Sequence, residues 1–339
     1  MISEKNRNKK QKLANILKNP YILLVLANIT WGLSPSIIKL GIESVDFWSF
    51  VTYRLLVVTV IVLVIFVFRR KLKGLFKVFT KPRYLLTMGL LIPWSAIFNF
   101  WGISLTSAII ASTVTALNPL IAAIMGMIIL KEKINKGELA GTILAFIGVI
   151  GVLVVQSVSN GGGGGEAEMM LNSTDAVNQG SSLLLGNLAG IGLILAGFIL
   201  WLFGNILFTT VPSEDQDNVS YGSFIFGLVN IFILALIFSK DNLFVFDFTN
   251  TNLIISILYM ALFGSLIGAV FHNEGIKKVE VSEANFFTYL QPIVGIPAAV
   301  FILNENFNYY LLIPILVIIV GVWLNLKSQP KNSKPLADN

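Results

Sequence analysis

The chain reads as long apolar blocks separated by short polar connections, most of them basic. Each block is roughly 20 residues long, enough for a helix to cross about 30 Å of hydrocarbon. The blocks lack the two-residue alternation of a membrane β-barrel strand. Read this way, the pattern predicts spans at 21–41, 46–68, 84–104, 105–130, 137–156, 184–208, 220–239, 252–274, 281–303 and 308–326. The third and fourth meet almost without a loop, at Ser104 to Ser107.

The two halves of the chain match one another. Shifted by 173 residues, the segment from Phe98 to Leu153 aligns without a gap on the second half. The pairs include Phe98/Phe271, Gly102/Gly275, Thr115/Thr288, Pro119/Pro292, Glu132/Glu305, Asn135/Asn308 and Gly148/Gly321. Chance identity is inflated among Leu and Ile in an apolar chain but not among Pro, Gly and Glu, so these pairs indicate a duplication. Five spans per copy make the copies point in opposite directions across the bilayer. The expected fold is therefore all-α and membrane-integral, with ten transmembrane helices in two inverted five-helix repeats.

Its expected parts are a basic tail (1–20), a first repeat (21–156), a glycine-rich linker (157–183), a second repeat (184–327) and a short tail (328–339). Gly161 to Gly165 make the linker a flexible tether on the non-cytoplasmic side, where Asn172-Ser173-Thr174 forms a sequon. With both termini cytoplasmic, all of the 24 Lys and Arg residues except Lys39, Arg54 and Lys240 fall on the cytoplasmic side. That is the positive-inside asymmetry, and it places the chain in the cell membrane as a multi-pass protein. One segment dissents: Pro212 to Asn218 would be cytoplasmic, yet it carries Glu214, Asp215 and Asp217.

Composition removes other chemistries. There is no cysteine and one histidine, His272, so thiol catalysis, disulfides and His- or Cys-built metal sites are excluded. No carboxylate falls at mid-span, which argues against an intramembrane enzyme. No cofactor is expected. The net charge of +6 is spread between spans and does not point to nucleic acid.

Several motifs resemble the drug/metabolite transporter superfamily, in particular its EamA-type ten-helix carriers. They are Trp31-Gly32, Arg54, and the run Ala116-Leu117-Asn118-Pro119-Leu120 through Leu130-Lys131-Glu132-Lys133 with Gly141 and Gly148. The second half repeats the run as Tyr289-Leu290-Gln291-Pro292-Ile293 through Leu303-Asn304-Glu305-Asn306 and Gly321. The resemblance implies a carrier of small metabolites, amino acids, nucleotide sugars or amphipathic drugs, usually outward. Arg54 aligns with Gly227, so that cation belongs to one repeat only.

Polar groups at mid-membrane depth usually face a cavity or another helix. Asn118 and Gln291, each just before a proline, are the first candidates for substrate contact, with Thr115 and Thr288 one turn earlier. Pro119 and Pro292 would free backbone carbonyls, or simply kink the helices for packing. Trp31, Asn99, Asn205 and Tyr289 are candidate wall residues, alongside Trp94, Trp101 and Trp201; aromatic residues also form interfacial belts. Arg54, with Lys39, either attracts an anionic group or pairs with Asp46 or Glu43. Glu132 and Glu305 are expected to cap the following helix or pair with cations at opposite faces, as structural gate elements. His272 and Glu274 are the fallback for proton coupling. The expected function is secondary transport by alternating access, with export of a small-molecule substrate. The alternatives are an exchanger of anionic solutes such as nucleotide sugars, and a channel or receptor. The expected partners are the lipid bilayer, a small solute and, as an option, a second copy in a homodimer.

Overall fold

The computed structural model describes residues 19–125, 136–161, 174–239, 246–276 and 287–328, with single residues at 129, 279 and 284. Among them the secondary structure is entirely helical. Seven helices are long and apolar enough to cross a membrane: α1 (Pro20–Ile42), α2 (Phe47–Phe68), α3 (Pro82–Leu105), α5 (Lys136–Gly161), α6 (Thr174–Thr209), α7 (Ser213–Phe238) and α8 (Thr251–Ile276). Three shorter apolar helices, α4 (Ala108–Ala122), α9 (Phe287–Leu303) and α10 (Tyr309–Gly321, continuing to Ser328), accompany them. Glu132, Lys277, Lys278, the tail residues 1–18 and 329–339, Asn172 and Gly162 to Gly165 lie outside the described residues.

Local signals set the helix starts. Asn19 accepts the Tyr21 N–H with Pro20 in the first helical turn, and Asp46 accepts the N–H groups of Trp48 and Ser49 at the start of α2. Asn250 does the same for Leu253 in α8, and Asn308 for Tyr310 in α10. Two boundaries differ from the sequence reading. Helix α6 begins at Thr174, inside the segment read as a flexible tether. Helix α7 begins at Ser213, so the dissenting acids form its first turns, where negative charge meets the positive end of the helix dipole. Asp215 there receives Lys81 Nζ at 3.0 Å and the Tyr84 hydroxyl at 3.0 Å. The bonds to Asp215 and Tyr84 hold the Lys81 ammonium above the usual lysine range.

These contacts define the two ends of the bundle. The near end holds Pro20, whose carbonyl faces Gly275, together with the Lys81–Asp215 pair and an Arg83–Thr210 bond of 2.8 Å. The far end holds a Ser44–Asn250 bond of 2.9 Å and Trp48 stacked on Phe238.

Helices of the two halves interleave. Helix α2 packs on α7, α3 on α6, α1 on α8 and α9, α4 on α9, and α5 on α10. The largest core joins Phe50, Leu55, Val58 and Phe100 to Ile194, Phe224, Ile231 and Met260. A second core joins Leu117, Val149 and Val152 to Tyr289, Ile296 and Ile318. The approach of α5 to α10 is close enough to require glycine. A Cβ on Gly148 would lie 2.6 Å from Ile318 Cγ1 and 2.8 Å from the Pro314 carbonyl; one on Gly321 would lie 2.5 Å from Ala145 N and 2.6 Å from the Gly141 carbonyl. Small residues at such crossings let backbones meet where no hydrophobic force drives helices together. The outer faces are apolar too: Leu56, Val60, Val64 and Val67 form an exposed row along α2, as Ile143, Ile147, Ile150 and Val154 do along α5. A helix apolar on every face is what a lipid surround demands.

Candidate functional site

A cavity of about 220 Å³ lies among α1, α2, α3, α4, α6, α7, α8 and α9. Its wall contains Trp31, Arg54, Asn99, Thr115, Asn118, Trp201, Asn205, His272, Thr288 and Gln291, so both halves supply side chains. A smaller space of about 30 Å³ adjoins it toward the near end, sharing Phe208, Ser220 and Asn273 and reaching Asp217 and Glu274.

Breaks in helical regularity shape this wall. Helix α3 contains a π turn at Leu90–Trp94 and α8 another at Leu262–Ile267. Such turns release backbone groups and are common at functional sites. The Gly264 carbonyl in the α8 turn accepts Trp31 Nε1 at 3.1 Å, while the Tyr259 hydroxyl donates to the Thr30 carbonyl at 3.1 Å. A Cβ on Gly32 would sit 2.9 Å from the Gln291 carbonyl, so α1 also meets α9 at backbone distance. The sequence reading missed the π turns. Pro93 is a signal for the first, and nothing comparable marks the second.

The prolines act differently from the expectation. In α4 a 3₁₀ turn, Thr115–Leu117, precedes a helix that restarts at Asn118, and in α9 one at Phe287–Tyr289 precedes a restart at Leu290. Pro119 and Pro292 thus sit in the first turn of a new helix, where a missing N–H costs little. The Thr115 carbonyl is not free for solute, because the 3₁₀ turn gives it the Asn118 N–H. Thr115 Oγ1 donates to the Ser112 carbonyl, the back-bonding alternative.

Gln291 Nε2 donates to Asn28 Oδ1 at 2.8 Å, and Asn28 Nδ2 donates to the Leu24 carbonyl at 2.8 Å. Asn118 Oδ1 is buried without a hydrogen-bond partner. Asn205 Nδ2 donates back to the Trp201 carbonyl at 2.8 Å. Trp31, Trp201 and His272 form a three-ring cluster with centroids 5.0–6.2 Å apart. Of the two candidates for proton coupling, His272 is buried in that wall, whereas Glu274 reaches only the adjoining space.

Four placements correct the sequence reading. Tyr289 is absent from the cavity wall and packs in the second core. Lys39, in the last turn of α1, does not join Arg54 at the wall; its electrostatic neighbours are Glu305 and Glu43. Arg54 forms no pair with Asp46, whose carboxylate caps α2. Glu305 caps a helix as expected, but not the one that follows it. Asn304 ends α9 in the left-handed conformation (φ 53°), and the Glu305 carboxylate accepts the N–H groups of Ala108 at 2.6 Å and Ile109 at 3.0 Å. A far-end latch therefore joins α9 of the second half to α4 of the first. Charged acceptors on first-turn N–H groups are strong. Glu305→Ala should lower stability by roughly 2–4 kcal/mol, with Glu305→Gln losing about half as much. Thermal melts of the two variants check this, and equal melting temperatures with wild type would exclude the latch.

The fold and cavity define a polytopic helical membrane protein with a polar and aromatic chamber among its helices. The model of the EamA-like transporter family matches the chain twice, at residues 18–154 and 188–327, and the chain belongs to that family. It is a multi-pass membrane transporter. An uncharacterized transporter of Bacillus subtilis (strain 168) is 25% identical over 68% of this chain and 67% of its own length. A protein of Escherichia coli (strain K12) bearing the name "Probable amino-acid metabolite efflux pump" is 22% identical over 90% of this chain and 94% of its own. One solved crystal structure superposes with a TM-score of 0.61 at 16% identity, covering 92% of this chain and 98% of the other, a likeness of fold.

Proposed function

We propose that the protein is a secondary carrier that exports small metabolites, amino acids or amphipathic compounds by alternating access. Its two inverted five-helix repeats would hold one central site, and both termini would face the cytoplasm of the cell that carries it. The observation that carries this reading is the cavity wall: Thr115 and Asn118 from one half stand with their repeat equivalents Thr288 and Gln291 from the other.

Further features support it. Gly148 faces Pro314 and Ile318, Gly321 faces Gly141 and Ala145, and these positions are related by the same offset of 173 residues. Such reciprocity is what a pseudo-two-fold axis produces. The π turns at Leu90–Trp94 and Leu262–Ile267 correspond under nearly the same offset. Export agrees with the name of the Escherichia coli relative. The exchanger of phosphorylated anions is less well supported, because Arg54 is the one Lys or Arg among the described wall residues.

In this account the Glu305 latch closes the far side, and the Trp31, Trp201 and His272 cluster forms the apolar floor of the site. His272 and Glu274 are the candidates for proton coupling. The test is uptake into proteoliposomes of a panel of amino acids, nucleotide sugars, phosphorylated metabolites and cationic drugs, with and without a pH gradient. Saturable uptake of one class, reduced about tenfold or more in Asn118→Ala and Gln291→Ala, is expected, the scale of losing one hydrogen bond to a buried partner. Saturable uptake unchanged in both folded variants would place the site elsewhere. No saturable flux for any class would contradict a carrier.

A further inference from the structure

Among the described residues, Arg54 is the one Lys or Arg in the cavity wall, and no carboxylate pairs with it. It lies two turns into α2, about 10 Å from the far end at 1.5 Å per residue, and is 4% exposed. Its guanidinium carbon stands 4.5 Å over the Phe100 ring, and its Nε has no hydrogen-bond partner. No Asp or Glu occurs among the described wall residues. Among the described acids at this end, Asp46 caps α2, Glu305 caps α4, Asp247 binds Thr249, and Glu43 neighbours Lys39. The repeat equivalent is Gly227, which faces Ile92 and Leu55, so the second half offers no matching charge.

An isolated charge held away from water is costly, and membrane proteins retain one where a ligand or pathway uses it. The rest of the wall states what else the ligand carries. Ile38, Ile103, Phe198 and Met260 are apolar, and Trp31, midway along α1 with Trp201 beside it, stands farther from the far end than Arg54 does. The volume, about 220 Å³, falls below the roughly 300–1,000 Å³ of drug-sized sites. Neutralising a doubly charged phosphate would call for a second cation, whereas a single guanidinium matches one carboxylate in a planar fork.

We propose that Arg54 is the receptor for a ligand carboxylate, and that the cavity takes small amphipathic monocarboxylates with the apolar body toward Trp31 and Trp201. The inference rests on the carrier reading only in taking this cavity as the substrate site. The orphaned Oδ1 of Asn118 on the same wall is an acceptor that an amino-bearing acid would complete. The carboxylate is common to amino acids and simple acids, and the test separates them.

Binding to purified wild type is measured by thermal shift and calorimetry with 3-phenylpropionate, L-phenylalanine, hexanoate and phenethylamine. The acids are expected to bind and raise the melting temperature, while phenethylamine, which has the apolar body without the carboxylate, does not. Tighter binding of L-phenylalanine than of 3-phenylpropionate assigns the ammonium to Asn118; equal binding leaves the carboxylate as the sole polar determinant, as proposed. Arg54→Gln should weaken acid binding about tenfold or more, with part recovered in Arg54→Lys. If Arg54→Gln does not fold, the wild-type preference for acid over amine decides. The proposal is overturned if phenethylamine binds as well as the acids, if no acid binds at millimolar concentration, or if a folded Arg54→Gln binds acids as wild type does. Flux judges the carrier separately. Acid binding without transport supports the Arg54 assignment and contradicts the carrier, whereas saturable transport of other solutes without acid binding does the reverse.

Discussion

Alanine at Gly321 should destabilise the protein by roughly 1–3 kcal/mol, the usual range for overpacking, even though alanine favours a helix over glycine by about 1 kcal/mol. The new methyl carbon would stand 2.5 Å from Ala145 N and 2.6 Å from the Gly141 carbonyl, both backbone atoms that no rotamer change can move. Helices α5 and α10 must separate, and their contact runs along most of both. Gly148→Ala should cost less, because Ile318 Cγ1 can turn away and the backbone atoms it meets, the Pro314 carbonyl at 2.8 Å and Ile318 N at 2.9 Å, lie farther off than those facing Gly321. Thermal melts in detergent give the ranking. A Gly321→Ala protein more stable than wild type would mean that helix propensity wins and the close crossing does not exist.

Substitution of Trp31 should lower both transport and stability. The indole ties α1 to the π turn of α8 through the Gly264 carbonyl and meets both Trp201 and His272. Trp31→Phe keeps most of the ring contact but leaves that carbonyl unpaired, which costs about 1–3 kcal/mol. Trp31→Ala also removes the packing and should cost roughly 2–4 kcal/mol in stability. Uptake by Trp31→Phe should fall about tenfold if the hydrogen bond shapes the site. Wild-type uptake by Trp31→Phe, with loss only in Trp31→Ala, would reduce the indole to a space-filling wall.

Much of this architecture was legible in the chain. Blocks of roughly 20 apolar residues are set by bilayer thickness, so most helix ends fell within a few residues of expectation. Glycines and prolines recurring at one offset pointed to a duplication, but that the glycines sit at a helix crossing and the prolines open new helices needed the structure. The start of α7 was misread because a hydropathy pattern stops at Glu214, Asp215 and Asp217, while helices readily begin with acids. The 3₁₀ and π turns escaped because they rearrange hydrogen bonds without changing apolar periodicity. Tyr289 was misassigned because an aromatic residue within a span serves a core as readily as a cavity wall, and it packs in the second core. The partner of Glu305 lies 197 residues away in sequence, and no local signal connects the two. Arg54 was visible as a charge near the start of a span, but that no described carboxylate pairs with it is a property of packing.

Alternating access requires that one cavity be exposed to the two sides of the membrane in turn. The absence of cysteine lets single introduced thiols report on it without background. The most direct measurement is the rate at which a membrane-impermeant thiol reagent labels Asn205→Cys, toward the near end of the cavity, and Ile103→Cys, toward its far end. Both are measured with the Glu305 latch intact and with Glu305→Ala. Alternating access predicts opposite changes: loss of the latch speeds labelling of Ile103→Cys from the far side and slows labelling of Asn205→Cys from the near side. Rates that rise together at both positions would indicate a continuous pore and contradict alternating access.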